Sequence, residues 1–348
     1  MLFLAATRMR FLCILPFLPA ALLTSCASPA REIERTRPSM GSELRLKIWT
    51  SDEKAADSAF NAIGTEFDRL EGLMSTWKDG SEIQSLNKAA GKHPVPISLD
   101  IRNVLLASRQ ISEWTGGKFD VTWGAMSGLW KFDYQNKDGT IPDPHEIARR
   151  RKLINYQDLE IDEKTGTAFL RREGMIANLG GIGKGYAIDR AVDILRQRGF
   201  KDFMVQFGGD MYAAGKTGDR PWRLGIQDPR GTDDQIFATL ELSDRTFSTS
   251  GDYERFFIKD GKRYHHIIDP DTGSPADASR SVTIVARTAT MADGLSTGVF
   301  ILGPKRGMAL VEQLADVEAV IVGSDNKVVV SSGLKDRLKL LASPTDAP

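Results

Sequence analysis

Cysteine is almost absent. Only Cys13 and Cys26 occur in 348 residues; the first lies inside an N-terminal leader and the second at its end, so a disulfide framework is excluded and stability has to come from core burial. An excess of one charge is missing as well. Lys plus Arg and Asp plus Glu number 46 each, so no global field draws the chain to nucleic acid or to an acidic polymer, and recognition by charge must be local. The acid-free apolar run at residues 11–23 is too short to span a bilayer comfortably. Repeats and low-complexity segments are lacking, and the glycine-rich stretches have the spacing of neither a P-loop nor a dinucleotide fingerprint.

What is present begins with that leader. Arg8 and Arg10 precede the apolar run, which ends in Leu23-Thr24-Ser25-Cys26. This resembles a bacterial lipobox: a bulky aliphatic residue, two small residues, then a cysteine whose sulfur takes a diacylglycerol. An ordinary secretory peptide with an incidental cysteine is the competing reading. The expected organisation is a signal peptide over 1–25, a solvated tether over 26–37 and one domain over 38–342, lipid-anchored through Cys26 and facing the periplasm. Removing residues 1–25 takes away Arg8 and Arg10 and no acids, which leaves 44 basic against 46 acidic groups.

Beyond the tether, alternating Leu44, Leu46 and Ile48 predict a strand. A helix capped by Ser51 follows, with Ala56, Phe60, Ile63, Phe67, Leu70 and Met74 as its buried stripe. A second runs from a Ser98 cap to Gly116-Gly117, and a third starts after Gly180-Gly181 and ends at Gly199. Short strands dominate thereafter, until helices over 289–302 and 305–314 flank Gly303-Pro304 and strands at 317–322 and 328–330 close the chain. Helices and strands mix without strict alternation. That predicts an α+β or mixed α/β domain and argues against a doubly wound nucleotide fold.

Three features could carry chemistry. The Gly180-Gly181-Ile182-Gly183-Lys184-Gly185-Tyr186 segment opens a helix, where backbone amides and Lys184 can meet a phosphate; glycines that merely serve a turn are the alternative. Asp293 and Thr297 stand four residues apart, so a carboxylate and a hydroxyl share one helix face and together suit Mg²⁺, though a capping or surface contact uses the same spacing. Of four histidines, His93 and His145 adjoin prolines in polar loops. His265 and His266 lie on opposite sides of a strand leading into Asp269-Pro270-Asp271-Thr272-Gly273, so one faces any cleft there, as a structural group or as a proton acceptor.

Together and in this order, Met40-Gly41-Ser42, Met74-Ser75-Thr76-Trp77, the glycine segments at 116–122, 179–189 and 208–210, Thr249 to Phe256, Tyr264 to Gly273 and Ala292 to Thr297 resemble the FAD:protein FMN transferases of the ApbE family. The resemblance implies a flavin transferase fold with mixed sheets flanked by helices. It also implies FAD as substrate, Mg²⁺ as cofactor, and attachment of FMN through a phosphoester to a threonine or serine of an acceptor protein in a membrane redox complex, with release of AMP. By the same resemblance Asp293, Thr297 and the Gly183 carbonyl are the metal ligands. Met40, Trp77, Phe119, Asp120, Gly180, Lys184, Tyr186 and the Ile267 backbone are cofactor-binding positions, His266 is the base and His265 its less important neighbour. Gly183, Gly294 and Gly298 replace alanines of the family, and Trp77 replaces a frequent tyrosine. FAD hydrolysis to FMN and AMP, and a non-catalytic FAD-binding lipoprotein, are the rival functions.

Overall fold

A computed structural model describes residues 29–132, 139–232 and 234–347. The signal peptide and Cys26 lie outside the described residues. An eight-stranded sheet forms the centre, in the order Arg31–Ser39, Ser42–Thr50, Phe203–Phe207, Asp210–Ala214, Arg245–Gly251, Ser279–Ala286, Glu318–Gly323 and Val328–Val330. Every neighbouring pair in it is antiparallel. Six helices are described: α1 (Glu53–Met74), α2 (Glu82–Lys88), α3 (Leu99–Trp114), α4 (Pro144–Arg151), α5 (Gly183–Gln197) and α6 (Ala289–Val311). The α+β expectation holds.

Both faces of the sheet are covered, and period-two alternation divides its side chains between them. Phe203, Val205, Phe207, Val282, Ile284, Ala319 and Ile321 point into the core under α1, α5 and α6. Met204, Phe247, Val285, Val320 and Val322 point the other way, onto Trp222, Leu224, Phe237 and Leu240 of a four-stranded sheet. Helix α3 packs outside α6. No described helix is long and apolar enough to cross a membrane.

The tether is shorter than expected. Residues 31–37 belong to the edge strand Arg31–Ser39, which pairs along its whole length with Ser42–Thr50. Its mixed charges are the solvent side of an amphipathic strand: Ile33 is buried, while Arg31 pairs with Glu53 at 2.6 Å, Arg35 with Asp57 at 2.8 Å and Arg37 with Asp68 at 2.8 Å, all on α1. The hairpin turns on Met40 (φ 43°) and Gly41 (φ 73°), a two-residue connection with both dihedrals positive. A methionine there is strained.

Helix α1 starts one residue later than the Ser51 cap predicts. Asp52 accepts the Ala55 amide at 2.9 Å, and its charge suits the helix start better than a hydroxyl. Ser98 caps α3 as predicted. Helix α6 is interrupted at Gly303, whose φ of 77° and ψ of 176° break the backbone just before Pro304, so the two predicted helices are its two halves.

Candidate active site

Two helix starts meet under the end of the central sheet. At the first, the chain passes through Gly180-Gly181 into α5, and Gly181 runs so near α6 that a Cβ on it would lie 3.5 Å from Thr297 Oγ1 and 3.4 Å from the Phe119 ring. At the second, α6 carries Asp293 one turn from its start and Thr297 one turn further on, side by side as their spacing predicts. The Asp293 carboxylate is buried. Its Oδ2 accepts the Gly185 amide at 2.9 Å, and its Oδ1 stands 3.5 Å from Lys184 Nζ.

Lys184 also pairs with Asp210. Asp210 arrives from the opposite side, where the chain leaves the strand Phe203–Phe207 through Gly208 (φ 61°); a Cβ on Gly208 would fall 3.0 Å from Ser42 Oγ and 3.8 Å from Lys184 Cδ. Burial and then the Asp210 charge push the Asp293 carboxyl up to about 7, against the pull of Lys184. Burial alone would lower the Lys184 ammonium, but Asp210 and Asp293 raise it above its ordinary value. The site is thus built to hold positive charge between two buried carboxylates.

Hydroxyls complete the floor. Ser250, on Arg245–Gly251, lies 2.8 Å from Ser296 Oγ and 3.3 Å from Thr297 Oγ1. Among the described residues no group of three or more His, Cys, Asp or Glu side chains could hold a metal ion by itself. The oxygens gathered here are hard ones: the Asp293 carboxylate and the hydroxyls of Ser250, Ser296 and Thr297, with the Asp210 carboxylate taken up by Lys184. That set fits a small divalent ion whose remaining ligands are water and phosphate oxygens, as Mg²⁺ prefers.

The histidine pair lies at the end of the strand Lys262–His265. Both ring nitrogens of His265 are engaged, since Nε2 donates to the Ala276 carbonyl at 2.6 Å and Nδ1 accepts the Ile267 amide at 3.3 Å. That fixes one neutral tautomer and makes His265 structural. His266 is different. Its Nδ1 is buried with no hydrogen-bond partner, and burial first, then Arg255 and His265, push the ring down to about 3, with Lys184 near enough to add to the effect. The turn behind it is fixed by Lys118, whose ammonium reaches Asp269 at 2.7 Å and Asp271 at 2.8 Å, and by Trp130, which donates to the Gly273 carbonyl at 2.9 Å.

The model of the ApbE family matches residues 40–321, which span every element of this site. The chain belongs to the ApbE family. Among its relatives is a protein of Klebsiella pneumoniae (strain 342) named FAD:protein FMN transferase, 32% identical over 305 residues that make up 87% of this chain and 93% of the relative. Two solved structures share the fold. The ApbE protein of Thermotoga maritima superposes with a TM-score of 0.80 at 31% identity, over 88% of this chain and 99% of that one. The flavin transferase ApbE of Vibrio cholerae gives 0.79 at 28% identity, over 89% and 100%.

The positions assigned by resemblance to the ApbE family separate into two groups. Gly180, Gly183, Lys184, Asp293, Thr297 and Phe119 converge on the junction of α5 and α6, with His266 within electrostatic reach of Lys184. The others have polar groups committed elsewhere or lie at the periphery. Asp120 is buried with Oδ1 accepting from the Thr122 amide (2.8 Å) and hydroxyl (2.7 Å) and Oδ2 from the Tyr156 amide (2.7 Å). The Tyr186 hydroxyl donates to Asp100 at 2.8 Å. The Ile267 amide is spent on His265, and its carbonyl accepts the Ala276 amide at 3.0 Å. Trp77, 85% exposed in the loop after α1, offers a free aromatic face, and Met40 sits at the hairpin turn. Asp210 had no role legible in sequence beyond following Gly208-Gly209, and Ser250 had none; nothing local links either to α6.

Proposed function

We propose that this chain transfers FMN from FAD to a threonine or serine hydroxyl of an acceptor protein, forming a phosphoester and releasing AMP. The observation that carries the reading is the junction itself: Lys184, in the first turn of α5, stands between the buried carboxylates of Asp210 and Asp293, and the buried Nδ1 of His266 is left without a hydrogen-bond partner. Membership of a family whose relatives are named FAD:protein FMN transferase supports the transfer of FMN from FAD to a protein.

The chemistry needs alignment, charge neutralisation and a proton acceptor. The acceptor oxygen attacks the phosphorus of the FMN half, the bond from that phosphorus to the bridging oxygen breaks, and AMP leaves with the bridging oxygen and its electron pair. The hydroxyl proton passes to His266, whose ring is neutral in the resting protein. Lys184 faces the diphosphate as a fixed positive charge. Asp293, Thr297 and the Gly183 carbonyl would hold Mg²⁺, which supplies further neutralisation of the diphosphate charge. Trp77 supplies a stacking surface for a flavin or adenine ring.

The leader pattern extends the proposal to Cys26 as the lipid anchor, placing the enzyme on the periplasmic side beside a membrane redox complex that contains the acceptor. Mixing purified protein, FAD, Mg²⁺ and candidate acceptors tests the reaction. A fluorescent covalent flavin band with one AMP released per label is the expected result. AMP without label would make the protein a hydrolase, and unchanged FAD a binder.

A further inference from the structure

Helices α5 and α6 clasp each other by the same device used in both directions. Asp293 of α6 accepts the amide of Gly185 in the first turn of α5 at 2.9 Å. Four residues beyond Gly185, Asp189 of α5 accepts the amides of Ala289 and Thr290 in the first turn of α6, at 2.7 and 2.9 Å, and the Thr290 hydroxyl as well. Ala289 in turn lies four residues before Asp293. Each helix therefore satisfies otherwise orphaned amides at the start of the other with a carboxylate from its own first two turns. Contact this close needs Gly185, where a Cβ would fall 2.2 Å from the Ala289 carbonyl oxygen and 2.8 Å from Asp293 Cβ. The α6 start has Thr288 for its third amide, so Asp189 is not its sole cap; what Asp189 adds is register with α5.

That register matters because the clasp joins the two segments that bear the oxygen donors. Gly183 and Lys184 precede Gly185 directly, and Asp293 and Thr297 follow Ala289 at one and two turns. A change at Asp189 would release the contact that holds one set against the other while keeping every donor residue in the chain. We propose that Asp189 is a positioning residue for the divalent-ion site, setting the offset between the α5 start and the Asp293–Thr297 face. The proposal rests on the reading of that site as Mg²⁺-binding, and the test separates the two.

The test measures ion binding with saturating FAD and no acceptor, so that no transfer contributes. Mg²⁺ is titrated while the melting temperature is followed, and Mn²⁺ is titrated by electron paramagnetic resonance. For Asp189→Asn the half-saturating concentration of both ions is expected to rise about 10–100-fold, as when a group supporting metal ligands is lost, and excess Mg²⁺ should recover transfer. Thr290→Val removes one of the three bonds to Asp189 and should move both titrations the same way by less; it decides the matter if Asp189→Asn does not fold. A lower melting temperature with unmoved titrations in the folded variants would make Asp189 a helix cap and overturn the proposal. If the wild type responds to neither ion, the metal reading falls and this inference with it. If Asp293→Asn loses a response that the Asp189 and Thr290 variants keep at wild-type concentration, only the inference falls.

Discussion

Gly298 of α6 faces Thr115 at the end of α3 so closely that a Cβ on the glycine would lie 2.6 Å from Thr115 Cγ2 and 3.2 Å from Phe119 Cβ. Thr115 cannot step aside, because its hydroxyl donates to the Ile111 carbonyl at 2.8 Å and accepts the Phe119 amide at 3.0 Å. Gly298→Ala is therefore expected to lose about 1–3 kcal/mol by overpacking. At Gly294 the nearest obstacle is the terminal methyl of Ile111, at 2.4 Å. That group can rotate away, and alanine gains up to about 1 kcal/mol of helix propensity. Gly294→Ala should unfold close to the wild-type midpoint, and chemical denaturation of the two variants side by side measures the contrast.

Asp293→Asn keeps an acceptor for the Gly185 amide and removes the charge. The fold should survive, while covalent flavin transfer falls below detection at saturating FAD and ordinary Mg²⁺. Treating the wild type with a chelator should have the same effect, reversed by added Mg²⁺. Transfer by the variant at the wild-type rate would take Asp293 out of the ion site.

His266→Gln should bind FAD as the wild type does and transfer FMN about 10²–10⁴-fold more slowly. With the resting ring held near 3 and its unfolded value at 6.5, protonation of His266 should add no acid limb to kcat/KM between pH 6 and 7, so any limb there in the wild type should persist in the residual activity of His266→Gln. The same depression makes stability depend on pH. The contribution is complete above pH 6.5 and is lost as pH falls toward 3, so acid unfolding of His266→Gln should be less steep over that window.

Asp120 shows the opposite sign. Burial raises its carboxyl from 3.8 to about 6, so its stabilising contribution is complete below pH 3.8 and is lost as pH rises through 6. Asp120→Asn presents an amide to the Tyr156 N–H and should cost about 1–3 kcal/mol. Melting curves should show the gap to the wild type narrowing between pH 4 and 7.

The part of this protein legible in its sequence is the part set by neighbours along the chain. Ser98 announces the start of α3 because an N-cap acts within three residues. Gly303-Pro304 announces the break in α6 because backbone sterics are local. The shared face of Asp293 and Thr297 follows from helical period alone. Residues 31–37 read as a solvated tether in the sequence for the complementary reason: Arg31, Arg35 and Arg37 look solvated until the carboxylates of Glu53, Asp57 and Asp68 are brought across from α1.

Only the tertiary structure decided which groups meet. Asp210 reaches Lys184 from a separate strand, Asp189 clasps a helix 100 residues away, and the hydroxyl of Tyr186 turns to Asp100. Propensity and period fix which way a side chain leaves its own backbone, whereas its partner is chosen by how sheet and helices pack. Close packing at Gly185 and Gly298, where no Cβ fits, is what brings the donors of α5 and α6 to one point.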